Sequence, residues 1–365
     1  MYSHSALEIT DLTVVLGGQK VLDISSLQVR TNEVLMIIGP NGSGKTSLLL
    51  CLATLLKPAT GTITYLETPA GNGVSVLELR RKFAVVFQEP LLLNRSVMDN
   101  VTLGPRLRGA KTGETKAKAE KWLERFGVGH LARRQARTLS GGEAKRVSLA
   151  RAFVLEPRIL FLDEPFNALD SPTRQALLED FERVLSETKV TTVMVTHDRG
   201  EALALGHRVA VIMEGRLRQL GTPDEVFSSP VDEEVARFVE AGNIIRGVVS
   251  SQQQGLACVR VDGRELQAVS DLLEGTNVSG YLHFEDVTLS LPSADPGLSS
   301  ARNQFTGKIV KAFPLGAQLK VQCDCGVPLS SLITRRSWDE MGLEVGREVV
   351  ASFKASSVHL IPKRQ

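Results

Sequence analysis

The octapeptide Gly39-Pro40-Asn41-Gly42-Ser43-Gly44-Lys45-Thr46 limits the fold of this chain more than any other segment, because it fits the pattern GxxxxGK[ST]. It follows the apolar run Val34–Ile38, which is typical of a strand buried on both faces, and it precedes an apolar stretch, residues 46–56, that indicates a helix. Glycines let backbone N–H groups converge on phosphate oxygens beside a helix N-terminus. Lys45 would reach the β- and γ-phosphates, and the Thr46 hydroxyl would bind magnesium. The segment therefore predicts a nucleotide site in an α/β domain.

Two acids follow a second apolar run. Residues 159–162 lead directly into Asp163 and Glu164. A charge at the end of a buried strand is costly unless it holds a metal or takes part in chemistry. We therefore expect Asp163 to hold magnesium, through water, and Glu164 to polarise the water that attacks the nucleotide. The alternative is an Asp-Glu cap on the next helix, and Pro165 fits both interpretations.

The segment Leu139-Ser140-Gly141-Gly142-Glu143 precedes a helical stretch, residues 144–153. Ser140 and Glu143 have the spacing of a capping box, so the segment could simply begin a helix. A cap does not require two adjacent glycines, whose exposed N–H groups beside a helix N-terminus would form a second anion site. Together with the phosphate loop and the carboxylate pair, this segment resembles the signature motif of ABC ATPases.

The resemblance covers residues 7–230 and implies roles for further residues. Gln88 resembles the Q-loop glutamine, which senses magnesium and the attacking water and contacts the membrane partner. Residues 167–170 (Asn-Ala-Leu-Asp) resemble the D-loop, whose usual first residue is serine. His197, after the apolar run 191–196, resembles the switch histidine that contacts the γ-phosphate. A lone histidine at a strand end is usually structural, but its place about 30 residues after the carboxylate pair favours the functional role.

The same resemblance implies a homodimer. In this family two subunits pack head to tail, and each ATP lies between the phosphate loop of one subunit and the segment Ser140, Gly141 and Gly142 of the other. Closure on ATP and Mg²⁺, followed by opening after hydrolysis, would drive transmembrane permease subunits. An extracytoplasmic oxyanion-binding protein would act through the same permease. The implied fold of residues 1–240 is a P-loop NTPase domain, of class α/β, with a helical subdomain.

Two further positions depart from the family pattern. The family usually stacks adenine on an aromatic residue about 29 positions before the phosphate-loop lysine, where this chain has Leu16. We therefore expect Leu16 to offer adenine only an apolar contact. Lys145 replaces a glutamine that is common after the signature motif, and the sequence assigns no effect to this change.

The pattern changes after about residue 240 to short Val-rich runs broken by glycines, which is typical of an all-β domain, residues 241–365. Asn243-Ile-Ile-Arg-Gly matches Asn303-Gln-Phe-Thr-Gly. A second set of landmarks matches at an offset of 71: Gly275, Val278, Val287 and Leu289 with Gly346, Val349, Val358 and Leu360. We predict a duplicated OB-like barrel with repeats at about 243–290 and 301–362, joined by a linker at 290–300. Chance similarity among Val-rich strands is the alternative.

Two segments resemble the fingerprints of molybdate-binding barrels, which accompany molybdate and tungstate import ATPases: Ser300-Ala301-Arg302 and Lys354-Ala355-Ser356. Hydroxyls, backbone N–H groups and the two cations suit a tetrahedral dianion. The first repeat has Glu285 at the position of Ser356, and this acid would repel an oxyanion. We therefore expect only the second repeat to bind regulatory molybdate or tungstate. A purely structural barrel is the alternative.

Composition limits other functions. The 43 basic residues nearly balance the 41 acidic ones, which argues against a nucleic-acid partner. A single cassette without a heptad run argues against a soluble ABC ATPase that acts on ribosomes or DNA. Intact Glu164 and His197 argue against a sensor that binds nucleotide without turnover. The four cysteines are too few for a disulfide scaffold and predict reduced thiols.

The longest apolar stretch, residues 48–56, is about half of the ~20 residues that a membrane span needs, and the N-terminus has no basic-then-apolar signal pattern. We therefore expect a peripheral protein at the cytoplasmic face of the membrane. The expected cargo is an oxyanion, molybdate or tungstate, with sulfate, phosphate or an iron complex as alternatives.

Overall fold

The computed structural model of the protein describes residues 5–66, 68–69, 75–239, 242–293 and 299–363. The chain divides into two compact units, Met1–Pro223 and Asp224–Gln365. The predicted domain boundary between residues 240 and 241, and residues 294–298 of the predicted linker, lie outside the described residues. Across the described ranges, no helix is long and apolar enough to cross a membrane.

The N-terminal unit contains both strands and helices. They are β1 (Ser5–Leu16), β2 (Gln19–Arg30), β3 (Val34–Ile38), α1 (Lys45–Leu52), β4 (Thr60–Tyr65), β5 (Thr68–Pro69), α2 (Val76–Arg81), β6 (Phe83–Val86), α3 (Val97–Leu107), α4 (Thr112–Arg125), α5 (Gly141–Phe153), β7 (Ile159–Asp163), α6 (Ser171–Thr188), β8 (Thr191–Val195), α7 (Arg199–Leu205), β9 (Arg208–Met213) and β10 (Arg216–Gly221).

Two sheets organise this unit. Strands β9, β3, β8, β7 and β6 form a parallel sheet, and β10 extends it antiparallel to β9. Every residue of β3, β7 and β8 is buried, as expected of strands covered on both faces. The other sheet is antiparallel, in the order β2-β1-β4-β5. The carboxyl ends of β3, β8 and β7 meet at one edge of the parallel sheet, where ligands bind in open α/β folds.

Helix α1 ends four residues before the predicted residue 56. Thr54 has a φ of 60°, in the left-handed region, and the Leu55 N–H donates to the Leu50 carbonyl at 2.8 Å. A left-handed residue just past the last turn closes a helix by satisfying its free carbonyls. The apolar residues that continue the pattern beyond Leu52 therefore belong to the closing turn.

A helical subdomain forms between β6 and β7. Helices α3, α4 and α5 pack on one another. Trp122 of α4 and Phe126, the residue that follows this helix, pack against Phe153 of α5, which in turn contacts Phe181 of α6. These buried rings fix α5, and hence its N-terminus, on the rest of the unit.

The C-terminal unit is mainly β-structure. Its elements are α8 (Pro223–Ser228), α9 (Glu233–Phe238), β11 (Asn243–Gln253), β12 (Leu256–Val261), β13 (Arg264–Val269), β14 (Asn277–Leu282), β15 (Thr288–Ser290), β16 (Asn303–Leu315), β17 (Gln318–Asp324), β18 (Pro328–Thr334), α10 (Arg335–Glu340), β19 (Glu348–Phe353) and β20 (His359–Pro362).

The two sheets of this unit exchange their last strands. One sheet has the order β13-β12-β11-β14-β20, and the other has β18-β17-β16-β19-β15. Strand β15 therefore pairs with β19 of the later half, and β20 pairs with β14 of the earlier half. Their buried side chains form one continuous core, from Ile245 to Leu360.

Two buried asparagines join the halves in the same way. Asn243 accepts from the Ser330 N–H at 2.6 Å and donates to the Ser330 carbonyl at 2.9 Å. Asn303 accepts from the Gln267 N–H at 2.7 Å and donates to the Gln267 carbonyl at 2.8 Å. Each asparagine begins the first strand of its half and satisfies the backbone of the third strand of the other, so neither half completes its hydrogen bonds alone.

Candidate nucleotide site

The loop 39–46 connects β3 to α1 and approaches neighbouring backbone closely. A Cβ atom on Gly39 would lie 2.0 Å from the Ile212 carbonyl oxygen. Gly44, with a φ of 99°, precedes α1, and a Cβ there would lie 2.6 Å from Leu22 Cδ2. Glycine is required at both positions because no side chain fits. The loop thereby keeps its backbone N–H groups at the N-terminus of α1, where an anion is favoured.

Lys45 turns back over the loop. It is 6% exposed, and its Nζ donates to the carbonyls of Gly39 and Pro40 at 2.9 Å each. Burial holds the pKa of Lys45 below its usual value, although the carboxylates of Glu164 and then Asp163 act in the opposite direction. The Ser43 hydroxyl oxygen is buried and, among the described residues, has no hydrogen-bond partner. A cation and an unsatisfied hydroxyl inside one loop suit a bound phosphate.

The Thr46 hydroxyl and the Asp163 carboxylate lie close together at the end of this loop. Thr46 Oγ1 donates to Asp163 Oδ1 at 3.3 Å, and Asp163 is 8% exposed at the end of β7. Burial raises the pKa of Asp163, while the hydrogen bond from Thr46 opposes the rise. No cluster of three His, Cys, Asp or Glu able to hold a metal is found among the described residues. One hydroxyl and one carboxylate nevertheless suit Mg²⁺, which commonly takes one or two carboxylates and completes its shell with water and substrate phosphates.

Glu164 follows Asp163, and both oxygens of the Glu164 carboxylate have a side-chain partner. His197 Nδ1 lies 3.3 Å from Oε1, and Asn167 Nδ2 donates to Oε2 at 2.9 Å. Glu164 has a φ of 44°, in the left-handed region, and its N–H donates to the carbonyl of Val195 at the end of β8. The structure thus brings Glu164 and His197 together, and it adds Asn167, whose contact with Glu164 the sequence analysis did not predict. The departure from the usual D-loop serine was the one available signal.

Gln88 lies after β6 and is exposed. Its backbone carbonyl accepts from Lys145 Nζ at 3.1 Å. Two further α5 side chains hold the following residues: Arg151 donates to the carbonyls of Leu91 and Pro90 at 2.8 and 2.7 Å, and the Ser148 hydroxyl lies 3.5 Å from the Pro90 carbonyl. The structure therefore ties the segment 88–91 to α5 through its backbone and leaves the Gln88 side chain exposed.

The segment 140–142 begins α5 as the spacing predicts. Ser140 Oγ accepts from the Glu143 N–H at 3.3 Å, and the Glu143 carboxylate accepts from the Ser140 N–H at 2.7 Å. The hydrogen bond from the Ser140 backbone holds the pKa of Glu143 below its usual value. A Cβ on Gly141 would have open space, whereas one on Gly142 would lie 2.7 Å from Thr173 Cγ2. The two glycines therefore serve different purposes, one leaving access and one allowing close packing.

A cavity of about 620 Å³ opens beside this helix start. Its lining includes Ser140, Gly141 and Gly142 together with Ala168, Leu169 and Asp170. Within the described part of the chain, no hydrogen bond joins these residues to the loop 39–46. The two candidate anion sites of one chain are thus separate and do not form a single closed site.

Leu16 ends β1 at the turn into β2 and is 43% exposed, next to the exposed Val15. Leu22 of β2 packs on the position of Gly44, which places this hairpin against the phosphate loop. An exposed aliphatic side chain offers an apolar surface without the ring face that stacks on a base.

The oxyanion candidates lie around a groove of about 810 Å³ in the C-terminal unit. Ala301 and Lys354 line it, whereas Ser300, Arg302, Ala355 and Ser356 are not among its lining residues. Ser300, Arg302 and Ser356 are exposed, and Ala355 is buried. Hydroxyls of Ser290, Ser352 and Ser357 face the groove, but so do the acids Glu285 and Asp286. The groove is therefore rich in hydroxyl groups and has mixed charge.

Two family models match the chain: one for the ABC transporter family at residues 22–167 and one for the TOBE domain at residues 299–360. The molybdate/tungstate import ATP-binding protein WtpC of Pyrococcus horikoshii is 38% identical over 341 residues, which cover 92% of this chain and 94% of that protein. The Fe(3+) ions import ATP-binding protein FbpC of Streptomyces coelicolor is 40% identical over 350 residues, which cover 95% and 96%. The sulfate/thiosulfate import ATP-binding protein CysA of Yersinia pestis is 37% identical over 68% of this chain.

Solved structures match somewhat less than two thirds of the chain. The protein cbiO1 of Clostridium perfringens, part of the ABC transporter complex cbiONQ, has a TM-score of 0.58 and 30% identity, covering 65% of this chain and 95% of its own. The ATP-binding cassette MJ0796, a dimer in a post-hydrolysis state bound to ADP and Pi, has a TM-score of 0.55 and 28% identity, covering 60% and 98%. These matches confirm the predicted fold class.

Proposed function

Since this chain belongs to the ABC transporter family as the ATP-binding subunit of an importer, in which ATP hydrolysis is coupled to transport, we propose that Glu164 is the general base of that hydrolysis. The observation that carries this assignment is the clamped carboxylate: His197 and Asn167 hold its two oxygens beside Lys45 and Asp163. A base must be fixed within hydrogen-bond reach of the water that it activates.

The loop 39–46 supplies the phosphate site in this proposal. Its N–H groups and Lys45 bind the β- and γ-phosphates, and Lys45 exchanges its bonds to the Gly39 and Pro40 carbonyls for bonds to phosphate oxygens. Thr46, Asp163 and Gln88 would hold magnesium, which would neutralise charge on the phosphates. Leu16 gives the adenine an apolar contact.

Hydrolysis then needs one proton acceptor and a fixed γ-phosphate. The water oxygen attacks the γ-phosphorus, the bond to the β–γ bridging oxygen breaks, and Glu164 accepts the proton of the water. His197 orients Glu164 and contacts the γ-phosphate. Ser140, Gly141 and Gly142 bind the nucleotide of a second copy of the chain, because in one chain they are not joined to the loop. The functional unit is then a homodimer with two shared sites.

The variant Glu164→Gln tests this assignment. It keeps the size and hydrogen-bonding capacity of the side chain but removes the proton acceptor, so ATP binding and dimerisation should persist while turnover falls by about 10²-fold or more. Size-exclusion chromatography with light scattering measures the dimer, and phosphate release measures turnover. Turnover at the wild-type rate would contradict the role of Glu164.

A groove of about 320 Å³ gives the permease a docking place in this proposal. Phe87, Leu91, Leu93 and Leu107 line it, and the last three are 57%, 45% and 76% exposed. Exposed leucines around a groove next to Gln88 are typical of a protein interface. Docking there would hold the chain at the cytoplasmic face of the membrane. Leu93→Glu should then abolish copurification with the permease and leave the ATPase rate of the isolated subunit unchanged.

The proposed cargo is molybdate or tungstate. The two fingerprints of the second repeat and the similarity to the WtpC proteins support it. Because the FbpC relative is 40% identical over a similar length, an iron(III) complex is the alternative cargo. Uptake of labelled molybdate, tungstate, sulfate and Fe³⁺ in cells lacking this subunit distinguishes them. Loss of iron uptake alone would contradict the oxyanion proposal.

We assign residues 241–365, with repeats at about 243–290 and 301–362, a regulatory role in which the second repeat binds the transported oxyanion and restrains the ATPase. The candidate donors are Lys354 and Ala301 in the groove with Ser300, Arg302 and Ser356 near it. The two acids in the groove oppose a dianion. This arrangement predicts that removing a cation from the groove weakens oxyanion binding, whereas removing an acid strengthens it.

Calorimetric titration of the full chain with molybdate tests the regulatory site. Lys354→Met should weaken binding by about tenfold, and Glu285→Gln should strengthen it, because one removes a favourable charge and the other an unfavourable one. No heat with either molybdate or tungstate at millimolar concentration would contradict the site.

A further inference from the structure

The turn after the carboxylate pair is held in an uncommon conformation. Glu164 and Ala168 have φ values of 44° and 60°, and the Asn167 N–H donates to the Glu164 carbonyl at 3.2 Å. Non-glycine residues with such angles cost about 1–2 kcal/mol each and persist only where the surroundings impose them. The turn therefore folds Asn167 back beneath the side chain of Glu164.

The amide of Asn167 has a defined orientation. Its Oδ1 accepts from the Ala168 N–H at 2.7 Å, so Nδ2 must face the Glu164 carboxylate, which it meets at 2.9 Å. A carboxylate bond to a neutral amide donor is charge-assisted and stronger than a neutral pair. A serine hydroxyl can also accept one hydrogen bond and donate another, but both functions lie on a single oxygen, one atom nearer the backbone than the amide groups of Asn167.

We propose that Asn167 is a positioning residue for ATP hydrolysis, which fixes the carboxylate of Glu164 from one side while His197 fixes it from the other. This inference rests on the proposed role of Glu164. Among the described residues, Asn167 makes the one side-chain hydrogen bond to Oε2, so without it the carboxylate rotates about its last bond and is aimed at the attacking water for only part of the time. Misplacement of a catalytic group by about 1 Å is enough to cost up to 10²-fold in rate.

The experiment compares kcat and KM for ATP in Asn167→Ala, Asn167→Ser and Asn167→Asp. The alanine variant removes the donor and should lower kcat about tenfold with KM changed less than twofold. The aspartate variant keeps the oxygen that caps Ala168 but sets a carboxylate against Glu164, so it should lower kcat further. Serine should fall between alanine and wild type. Gln175→Ala, which removes only a bond to Glu179 on the surface of α6, is the matched control and should leave both constants unchanged.

Two measurements separate positioning from other roles. ATP-binding stoichiometry fixes the fraction of folded, competent protein, so a loss of fold is not counted as a loss of kcat. The double variant Glu164→Gln/Asn167→Ala should dimerise with ATP as well as Glu164→Gln alone. Unchanged or increased kcat in Asn167→Ala, or loss of dimerisation in the double variant, would overturn the inference. Full turnover in Glu164→Gln would instead overturn the proposed function.

Discussion

At the scale of single residues, Gly141 and Gly142 differ in what surrounds them. Gly141→Ala adds a methyl group in open space at the first turn of α5, so it should leave stability unchanged or raise it by up to about 1 kcal/mol. It should also impair ATP-driven dimerisation, because the methyl covers N–H groups that face the nucleotide. Gly142→Ala should instead destabilise the unit by about 1–3 kcal/mol through contact with Thr173. Thermal unfolding and light scattering measure the two effects.

A variant of Thr173, whose side chain packs against Gly142, provides the matched control for Gly142→Ala. Thr173→Ser removes the Cγ2 methyl that a Cβ on Gly142 would meet at 2.7 Å, and it leaves the Thr173 N–H free to donate to Asp170. The double variant Gly142→Ala/Thr173→Ser should therefore recover most of the stability lost in Gly142→Ala. An unrelieved loss would mean that the helix backbone, not the packing against α6, requires glycine.

Lys145 gives a second residue-scale prediction. It is 8% exposed, and its Nζ donates to the Gln88 carbonyl. Burial lowers the pKa of Lys145, although the carboxylates of Glu201 and Glu164 act to raise it. Replacing an incompletely compensated buried charge by an apolar group of similar length is often neutral or stabilising. Lys145→Met should therefore keep or raise the free energy of unfolding, whereas Lys145→Ala should lower this free energy by about 2 kcal/mol through a cavity. A large loss in Lys145→Met would show that the bond to Gln88 outweighs the burial cost.

Several local features of the candidate nucleotide site could be predicted from the sequence because they depend on residue types at fixed spacings. The phosphate loop, Asp163 and the capping box of Ser140 follow from local pattern, and the structure forms them as local features. The roles of Glu164, His197 and Gln88 stay predictions. The bonds of Asn167 to Glu164 and of Lys145 to Gln88 join residues that only the folded turn or the packed helix brings together. No periodicity encodes such contacts.

At the scale of elements, sequence patterns located strands and helices better than their partners. The buried runs at β3, β7 and β8 and the helix α5 occur where predicted. The exchange of β15 and β20 between the two sheets was not foreseen, because a repeat in sequence does not say which copy supplies a strand. Pairing of non-local strands is decided by tertiary packing rather than by local propensity.

Helix α9 carries a pH-dependent link to the barrel strands. Glu233 accepts from Arg246 of β11 and Ser279 of β14 and pairs with Arg237. The hydrogen bond from Arg246, followed by that from Ser279 and by the charges of Arg246 and Arg237, lowers the pKa of Glu233 to about 2. A lowered pKa stabilises the fold fully above the ordinary value near 4.5, and this stabilisation is lost as pH falls from there toward 2.

The comparison of wild type with Glu233→Gln tests this link. The variant should unfold at a temperature lower by on the order of 2 °C at pH 6 to 7, since exposed ion pairs contribute little. The difference should shrink as pH falls from about 4.5 toward 2, because the wild-type carboxyl then protonates. Circular dichroism in β-sheet bands at stepped pH measures it. A gap that stays constant down to pH 3 or widens there would contradict the assignment.

At the scale of the whole molecule, the two compact units have separate hydrophobic cores, one formed by β1–β4 and the parallel sheet and one by the exchanged barrel strands. We therefore predict two calorimetric transitions. In the variant Glu164→Gln, which prevents turnover, MgATP at 100 times its Kd should stabilise the N-terminal unit by about 2.7 kcal/mol. That corresponds to a shift of about 5–10 °C for a unit of this size, with the other transition unmoved. Molybdate should shift the second transition alone. A single transition that both ligands move together would mean that the units unfold as one, and regulation would then act through shared stability rather than through a local site.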